Sequence, residues 1–306
     1  MTTTLFTHPD CARHQMSGHP ERPERLISVM DRLDSSGLLK ELKQVNAQEI
    51  EQSRIELVHH LDLIKLVANG EPESGSHKIE TDTYMSPGSH RAAKLAAGAN
   101  VMAVEAILRG DCERAFCAIR PPGHHAEIAQ VMGFCMFNNI AIAAETALLD
   151  ERINRVAILD FDVHHCNGTV DIFKDRQEVL VCSSFQEDFY PFRYLDFSND
   201  HIISTPLPVG TGEMGFRKNL EEQWIPALEA HRPDFILISA GFDAHRDDPL
   251  ASLELEEADY IWVTRTIMDI AATFSEGRLM STLEGGYNVD ALASCVEAHV
   301  GTLING

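Results

Sequence analysis

The strongest constraint on the fold of this chain is a regular alternation of short aliphatic segments with longer segments that carry apolar residues at helical spacing. The short segments predict strands at Thr4–His8, Ala115–Ile119, Val156–Asp160, Val179–Ser183, Phe235–Ala240 and Leu279–Leu283. The long segments predict helices at Ser89–Arg109, Asn138–Arg152, Met214–His231, Glu256–Phe274 and Val289–Leu303. This pattern favours a parallel sheet covered by helices on both faces. The sequence therefore predicts an α/β fold with a central, mainly parallel β-sheet, in a single domain that spans residues 1–306.

The composition excludes several functional classes. Hydrophobic residues make up 44% of the 306 residues and charged residues 24%, a balance typical of globular proteins and not of disordered or fibrous ones. A formal net charge of −22 argues against binding to nucleic acid, which needs basic patches, and favours cationic substrates. The chain lacks an apolar run of the roughly 18 residues that cross a bilayer, and Met1–Phe6 lacks the basic start of a signal peptide. Seven cysteines without Cys-x-x-Cys spacing predict reduced, mostly buried thiols, so we expect a cytoplasmic protein without a membrane partner.

Unusual polar residues directly follow four of the predicted strands. They are His124-His125, Asp160–His165, Gly241–Asp243 and Glu284–Tyr287. In open α/β sheets, ligands bind in the crevice outside the carboxyl ends of the strands, where the loops converge. The sequence therefore predicts a functional site at this edge of the sheet.

The segment Asp162-Val163-His164 carries two side chains that can bind a metal. Residues i and i+2 of an extended segment point to the same side, so a carboxylate and an imidazole can reach one ion. The spacing alone also allows Asp162 to cap a helix and His164 to be merely polar. Asp243 adds a second carboxylate after another strand, close to Gly241. Two carboxylates and one imidazole leave a position open on Zn²⁺, as in catalytic zinc sites, and the sequence therefore predicts one catalytic zinc ion.

A histidine pair and a tyrosine follow two further strands. His124 and His125 offer a general base, although adjacent histidines also occur by chance on protein surfaces. Asp160 and Asn167 flank the metal motif, and each can accept an imidazole N–H and so fix the tautomers of the pair. Tyr287 can donate a hydrogen bond to an oxyanion, or it can simply pack beside a Gly-Gly turn.

Taken in order, these motifs resemble the histone deacetylase family of the arginase–deacetylase fold, specifically its class II and bacterial deacetylase-like branch. The resemblance covers nearly the whole chain. Its motifs are Gly18–Arg25, Tyr84–Gly88, Arg120–His125, Gly133–Cys135, Asp160–Gly168, Gly241–Pro249 and Glu284–Asn288. It implies a zinc-dependent amidohydrolase that hydrolyses the acetyl (acyl) amide of acetyl-lysine, or of a similar acylated amine, to free amine and acetate.

The resemblance also implies a role for each residue of the site. The zinc ligands would be Asp162, His164 and Asp243. The catalytic residues would be His125 as general base and later acid, His124 as its electrostatic partner, and Tyr287 as the group that polarises the acyl carbonyl. The substrate tunnel would be lined by Gly133, Phe134 and Tyr190, with Asp82 as a carboxylate at its rim. A structural potassium ion would lie at Asp160, Asp162, His164, Ser183 and Ser184.

Three features depart from the family pattern. Tyr190 stands where many relatives have phenylalanine, and Cys166 occupies a position that is commonly glycine. The segment Phe192–His201 lacks the relatives' glycine-rich pattern, so its conformation at the rim is not predicted. The remaining histidines are expected either to shape the first loop (His14, His19) or to lie on solvated helix surfaces (His59, His60, His231).

Alternatives remain open for the activity and for the substrate. The rivals to a deacetylase are a binuclear, arginase-like ureohydrolase, which needs more carboxylates around a second metal, and a non-catalytic protein that binds acylated amines. Within the deacetylases, the alternative is an acetylpolyamine deacetylase. Polyamine-selective relatives place a glutamate at the tunnel rim after the third metal ligand. An ungapped alignment from Asp243 through Pro249 puts Ala258 there, with Glu257 beside it, which favours acetyl-lysine.

Overall fold

The computed structural model describes residues 3–306 and confirms the α/β fold. Its strands, in chain order, are β1 (Thr3–Thr7), β2 (Lys43–Asn46), β3 (His77–Lys78), β4 (Tyr84–Met85), β5 (Arg114–Ala118), β6 (Val156–Asp160), β7 (Val179–Gln186), β8 (Ile202–Leu207), β9 (Phe235–Ala240) and β10 (Leu279–Leu283). One eight-stranded parallel sheet has the order β2-β1-β5-β10-β9-β6-β7-β8, and β3 pairs with β4 separately. The six predicted strands are all present. The strands that the sequence pattern missed are the two sheet edges, β2 and β8, and the pair β3 and β4.

The helices are α1 (Glu24–Ser35), α2 (Gln52–Ile55), α3 (Leu61–Asn69), α4 (Ser89–Leu108), α5 (Asn139–Leu148), α6 (Asn167–Phe173), α7 (Glu213–His231), α8 (Glu257–Phe274) and α9 (Val289–Asn305). The five predicted helices are confirmed as α4, α5, α7, α8 and α9, with ends shifted by a few residues. Several of these helices pack on the sheet with almost wholly buried faces, and α4 is rich in buried alanine, which lets its backbone approach the strands.

The sheet register brings the functional loops to one edge. Central strand β6 lies between β9 and β7, with Asp160 opposite Ser239 on one side and Ser183 on the other. On the far side of β9, Leu283 of β10 lies opposite Ala240. Because all these strands are parallel, the loops that follow β6, β9 and β10 leave the sheet next to one another.

Two further expectations concern the surroundings of the chain. All seven cysteines are buried and none forms a disulfide, as expected. Within residues 3–306, no helix is both long and apolar enough to cross a bilayer.

Candidate active site

Three metal-binding side chains meet at the carboxyl ends of β6 and β9. The ligand atoms of Asp162, His164 and Asp243 lie within 4.8 Å of one another, and all three residues are buried. His164 Nδ1 is 2.9 Å from Asp162 Oδ1 and 3.2 Å from Asp243 Oδ2. The structure thus brings together the three residues that the sequence predicts to be metal ligands.

The surroundings of this triad fit a bound cation. Asp243 Oδ2 is buried, and its polar neighbour His164 Nδ1, at 3.2 Å, already lies closer to Asp162 Oδ1, so this oxygen accepts no hydrogen bond of its own, and a buried acceptor without a hydrogen bond is destabilising. Burial lowers the pKa of His164, but its hydrogen bond to Asp162, its contact with Asp243 and the charges of both carboxylates outweigh burial and raise the pKa to about 10. A site that favours positive charge so strongly, with oxygen and nitrogen donors, suits a divalent metal ion.

Backbone amides hold the two carboxylates in place. Gly285 N donates to Asp162 Oδ2 at 2.8 Å, and Val163 N donates to Asp243 Oδ1 at 2.9 Å. His164 N donates to Asp162 Oδ1 at 2.9 Å. Ligands that are oriented by such bonds are preorganised for the metal.

Two glycines allow the backbone to pass directly against these carboxylates. A Cβ atom on Gly241 would lie 2.1 Å from Asp162 Oδ2, and one on Gly285 would lie 1.9 Å from Asp243 Oδ2. Both distances are far below ordinary contact, so any larger residue would displace a ligand.

The histidine pair lies beside the triad, and each ring has its own partner. His124 Nδ1 is 2.9 Å from Asp160 Oδ2, and His125 Nδ1 is 2.7 Å from Asn167 Oδ1. Burial lowers the pKa of His124, but the charges of Asp160 and Asp162 outweigh it and raise the pKa to about 10. Burial, together with the charges of the neighbouring histidines, holds the pKa of His125 well below its usual value. His124 is therefore suited to stay charged, and His125 to be the neutral base.

Tyr287 is held from two sides. Asp248 Oδ2 accepts a hydrogen bond from Tyr287 N at 2.7 Å, and the guanidinium of Arg25 lies 4.9 Å from the centre of the Tyr287 ring. Arg25 also donates to the carbonyl oxygens of Gly286 and Glu284, at 2.6 Å and 2.5 Å. Burial raises the pKa of Tyr287 well above its usual value, so the phenol keeps its proton and can donate a hydrogen bond.

A buried ionic network anchors Arg25, and the sequence motifs did not reveal it. Glu21 is fully buried, and its Oε1 accepts from Arg25 Nη1 at 3.1 Å. Arg120 donates to both oxygens of Glu21 at 2.5 Å. Burial raises the pKa of Glu21, but the charges of Arg120, His14 and Arg25 outweigh it and lower the pKa to about 2. The network ties the first loop to the loop that carries Tyr287.

The three predicted tunnel residues lie around the catalytic side chains. Gly133 packs so closely on His125 that a Cβ atom would lie 2.2 Å from His125 Cδ2, and its φ of +57° also favours glycine. The Tyr190 ring is 5.2 Å from that of His125, and the Phe134 ring is 6.0 Å from that of Tyr287, both edge to face. The structure therefore groups these three residues around His125 and Tyr287, and their role as tunnel walls stays a prediction.

Asp82 is half-buried beside Gly133 and Tyr190. Its Oδ2 accepts a hydrogen bond from the Tyr190 hydroxyl at 2.6 Å, and its Oδ1 accepts one from Gly133 N at 3.0 Å. The hydroxyl that distinguishes Tyr190 from phenylalanine therefore has a definite partner. These two hydrogen bonds fix Asp82 between Gly133 and Tyr190.

The residues matched to a potassium site are buried around the ends of β6 and β7. Asp160 Oδ1 accepts a hydrogen bond from Asp162 N at 3.0 Å. Ser183 Oγ lies 3.1 Å from His165 Nδ1, and Ser184 is the next residue of β7. Potassium binding by this group stays a prediction.

The two other departures from the family pattern have simple structural explanations. Cys166 is fully buried at the start of α6, and burial raises the pKa of its thiol well above the usual value. The segment Phe192–His201 is an irregular loop in which Phe192 and Tyr194 adopt left-handed backbone conformations. The hydroxyl of Tyr194 donates to Asp171 Oδ1 at 2.8 Å, which fastens the loop to α6.

One expectation about the remaining histidines is wrong. His59 is buried, not solvated: its Nε2 accepts from Asn138 N at 2.8 Å, and its Nδ1 donates to the carbonyl of Glu127 at 2.9 Å. Burial lowers its pKa to about 4, so the ring is neutral. A histidine just before a helix looks solvated in sequence, because only the tertiary fold shows that another loop covers it.

Ala258 and Glu257, which the ungapped alignment places at the rim, do not line the cavity beside Tyr287. From that segment, the residues that line the cavity of about 520 Å³ beside Tyr287 are Pro249 and Leu250. Glu257 instead begins α8, where its Oε2 lies 3.7 Å from His245 Nε2, and Ala258 is the next residue of that helix.

The described residues contain a second group of side chains with ligand atoms within 4.8 Å of one another, namely His245, Glu257 and Cys295. His245 Nδ1 accepts a hydrogen bond from Asp247 N at 3.1 Å. With its Nδ1 lone pair engaged, the ring carries a proton on Nε2, which faces Glu257, so neither nitrogen offers a free lone pair to a metal. This group is better explained as a hydrogen-bonded pair beside a buried thiol.

Comparison with known proteins agrees with this geometry. A family model described as "Histone deacetylase domain" matches residues 19–303. The chain is 36% identical to a "Probable deacetylase" of Archaeoglobus fulgidus over 95% of this chain and 82% of that protein. It is 35% identical to a "Histone deacetylase-like amidohydrolase" of Pseudomonas aeruginosa over 91% of this chain and 75% of that protein. Some relatives are much longer, and the chain spans 21% of one of them.

A solved structure shows the same architecture. The crystal structure of the HD domain of HDA15 superposes with a TM-score of 0.92 and 31% sequence identity, covering 99% of this chain and 88% of that one. The fold is therefore that of the arginase–deacetylase type. The chain belongs to the histone deacetylase family.

Proposed function

We propose that this protein is a zinc-dependent amidohydrolase that removes the acetyl group from acetyl-lysine or a similar acylated amine. The observation that carries the proposal is the buried triad of Asp162, His164 and Asp243, in which one carboxylate oxygen has no hydrogen-bond partner. Three such ligands with an open position are typical of catalytic zinc. A divalent ion bound there supplies a Lewis acid for the acyl oxygen and lowers the pKa of water.

Three side chains of the protein transfer protons or stabilise the charges that develop in the reaction. His125, neutral because of its low pKa, accepts a proton from the attacking water and then returns one to the leaving amine. His124, charged beside Asp160, adds positive potential next to the developing oxyanion. The Tyr287 hydroxyl donates a hydrogen bond to that oxyanion, since burial keeps it protonated.

The walls orient the substrate for this reaction. Gly133, Phe134 and Tyr190 form a narrow approach that suits an extended aliphatic chain, and Asp82 offers a carboxylate to an N–H group at its mouth. A second group of residues is proposed to hold a structural potassium ion. Its members are Asp160, Asp162, His164, Ser183 and Ser184. Asp160 and Ser183 are paired residues of the neighbouring strands β6 and β7, and both are buried.

The rim favours acetyl-lysine over acetylpolyamines. A polyamine carries a second cation beyond the amide, and a carboxylate at the mouth would stabilise that charge. From the segment after Asp243, the apolar Leu250 reaches the cavity beside Tyr287, and Glu257 does not. The net charge of −22 attracts both kinds of substrate and does not discriminate between them.

Metal removal and reconstitution test the proposal. The protein is freed of metal with a chelator, supplied with one equivalent of zinc, and assayed on acetyl-lysine peptides, with metal content measured in parallel. Zinc should bind one-to-one and restore hydrolysis. Zinc binding without turnover of any acetylated lysine or polyamine would identify a binding protein instead, and a requirement for two metals would favour the binuclear alternative.

A further inference from the structure

Glu127 is a buried carboxylate that the proposed reaction does not use. It lies two residues after His125, is 4% exposed, and makes two short contacts. Its Oε1 accepts a hydrogen bond from Asn167 Nδ2 at 2.7 Å, and its Oε2 lies 2.9 Å from Arg193 Nη2. A buried carboxylate needs such partners.

The first contact decides which way the Asn167 amide faces. An asparagine amide can present either its oxygen or its NH₂ group to a neighbour, whereas an ionised carboxylate can only accept hydrogen bonds. Glu127 therefore turns the NH₂ group toward itself and the oxygen toward His125 Nδ1, 2.7 Å away. The backbone oxygen of His125, at 3.3 Å, and Met132 Sδ, at 3.1 Å, accept from the same NH₂ group, but both are uncharged.

The orientation of Asn167 in turn decides the tautomer of His125. An oxygen facing Nδ1 requires that Nδ1 carry the proton, so Nε2 keeps its lone pair and is the basic atom. When Nε2 takes up a proton, the ring becomes a buried cation. The negative charge of Glu127, transmitted through the polarised amide of Asn167, stabilises that cation as the third member of a catalytic triad does.

The second contact favours the charged form of Glu127. Burial raises the pKa of Glu127 above its usual value, and the hydrogen bond from Asn167 and the charge of Arg193 offset part of that rise. Arg193 lies in the segment Phe192–His201, whose role the sequence did not predict, and it also donates to Gln130 Oε1 at 2.9 Å. This irregular loop therefore reaches the catalytic base through one arginine.

We propose that Glu127 is a positioning residue for catalysis: it fixes the orientation of Asn167, and thereby the Nδ1-protonated tautomer of His125. The inference rests on the proposed function, in which His125 is the base. It gives a role to the series of contacts His125–Asn167–Glu127–Arg193. This series runs from the site to the half-exposed guanidinium of Arg193.

A double-mutant cycle tests the inference. Glu127→Ala should lower kcat roughly tenfold or more with little change in KM or zinc content, because the amide of Asn167 is then free to turn. Asn167→Asp in the Glu127→Ala background should restore kcat to within about threefold of wild type, since a carboxylate can only accept from Nδ1. Asn167→Asp alone should lower kcat, because it places two carboxylates in contact. The same substitution thus has opposite effects in the two backgrounds.

A matched control separates this effect from a loss of packing. Glu145 is also a shielded glutamate paired with an arginine, Arg176, at 2.9 Å, but it lies on α5 away from the site. Glu145→Ala should leave kcat unchanged. Unchanged kcat in Glu127→Ala would overturn the inference, and so would a loss that Asn167→Asp fails to restore.

The tautomer of His125 can also be measured in a protein that shows no turnover. This experiment therefore distinguishes a failure of the inference from a failure of the proposed function. ¹⁵N spectra of labelled histidine, with the His125 signals assigned by their loss in His125→Ala, distinguish Nδ1–H from Nε2–H rings. Wild type should show His125 protonated at Nδ1, and Glu127→Ala should show a mixture. A wild-type ring protonated at Nε2 would refute the inference even in a protein without activity on any acetylated substrate tested.

Discussion

Replacing Gly285 with alanine should empty the metal site although no ligand is changed. The new Cβ atom would lie 1.9 Å from Asp243 Oδ2 and 2.5 Å from Asp162 Oδ2. The φ angle of Gly285 lies outside the left-handed region, so alanine meets no backbone strain and the contact alone decides the outcome. The obstructing atoms are carboxylate oxygens held by backbone amides, which cannot swing aside freely.

The required displacement sets the size of the effect. Non-bonded heavy atoms have their optimal separation at about 3.5 Å, so Asp243 Oδ2 must move away from the new Cβ atom by more than about 1 Å. Zinc–oxygen bonds of about 2.0–2.2 Å tolerate a deviation of only about 0.2 Å. Loss of an outer partner of a metal ligand already weakens binding by about 10- to 100-fold. Direct displacement of a ligand should therefore weaken zinc binding by at least about 100-fold, or about 2.8 kcal/mol.

The assay compares zinc affinity, deacetylation and folding in two glycine variants. Gly301→Ala is the control, because Gly301 lies in α9 and its added Cβ would meet its nearest atom, Leu38 Cδ1, at an ordinary 3.6 Å. Gly301→Ala should keep full zinc content and activity, and Gly285→Ala should lose both while its circular dichroism stays native. Stoichiometric zinc and near-wild-type kcat in Gly285→Ala would refute the assignment of these carboxylates to the metal.

Four further outcomes follow from the site. Asp243→Ala should lose zinc and activity together, as metal analysis beside a rate assay would show, and a fully active variant would remove Asp243 from the ligand set. His125→Ala should retain zinc but lose roughly 100-fold or more in kcat, and Tyr287→Phe should behave likewise; wild-type rates in steady-state assays would exclude either residue from the mechanism. Acetyl-lysine peptides should give higher kcat/KM than N-acetylputrescine or N-acetylcadaverine, and an acetylpolyamine preference above about tenfold, about 1.4 kcal/mol, would reverse the substrate proposal. Leu250→Glu should shift relative kcat/KM toward acetylpolyamines, whereas Glu257→Ala should not change it, and the opposite pattern would show that the rim has been located wrongly.

The local motifs allowed much of the site to be predicted. Asp162 and His164 are two residues apart directly after the buried strand β6, so their short spacing keeps both side chains at the end of that strand. His124 and His125 are adjacent, and the partners proposed for them, Asp160 and Asn167, are the ones that the structure provides. These inferences succeeded because each depends on spacing along the chain or on the general convergence of loops at one sheet edge.

Contacts between distant loops could not be predicted in the same way. Glu127 looked like an ordinary polar residue after the histidine pair, and its importance depends on Asn167, forty residues later. Arg25 lies within a recognised motif, yet its position over Tyr287 is a contact across 262 residues.

The sequence by itself determined the fold class, the order of the functional loops along the chain and the chemistry of the central residues. Periodicity specifies strands and helices, and the parallel arrangement brings their ends together without further information. Only the tertiary structure decided which oxygen of Asp243 lacks a partner, which glycines touch the carboxylates and which way the Asn167 amide faces. Those features depend on differences of a few tenths of an ångström in the distances between loops. The packing of the whole sheet and its helices sets these distances.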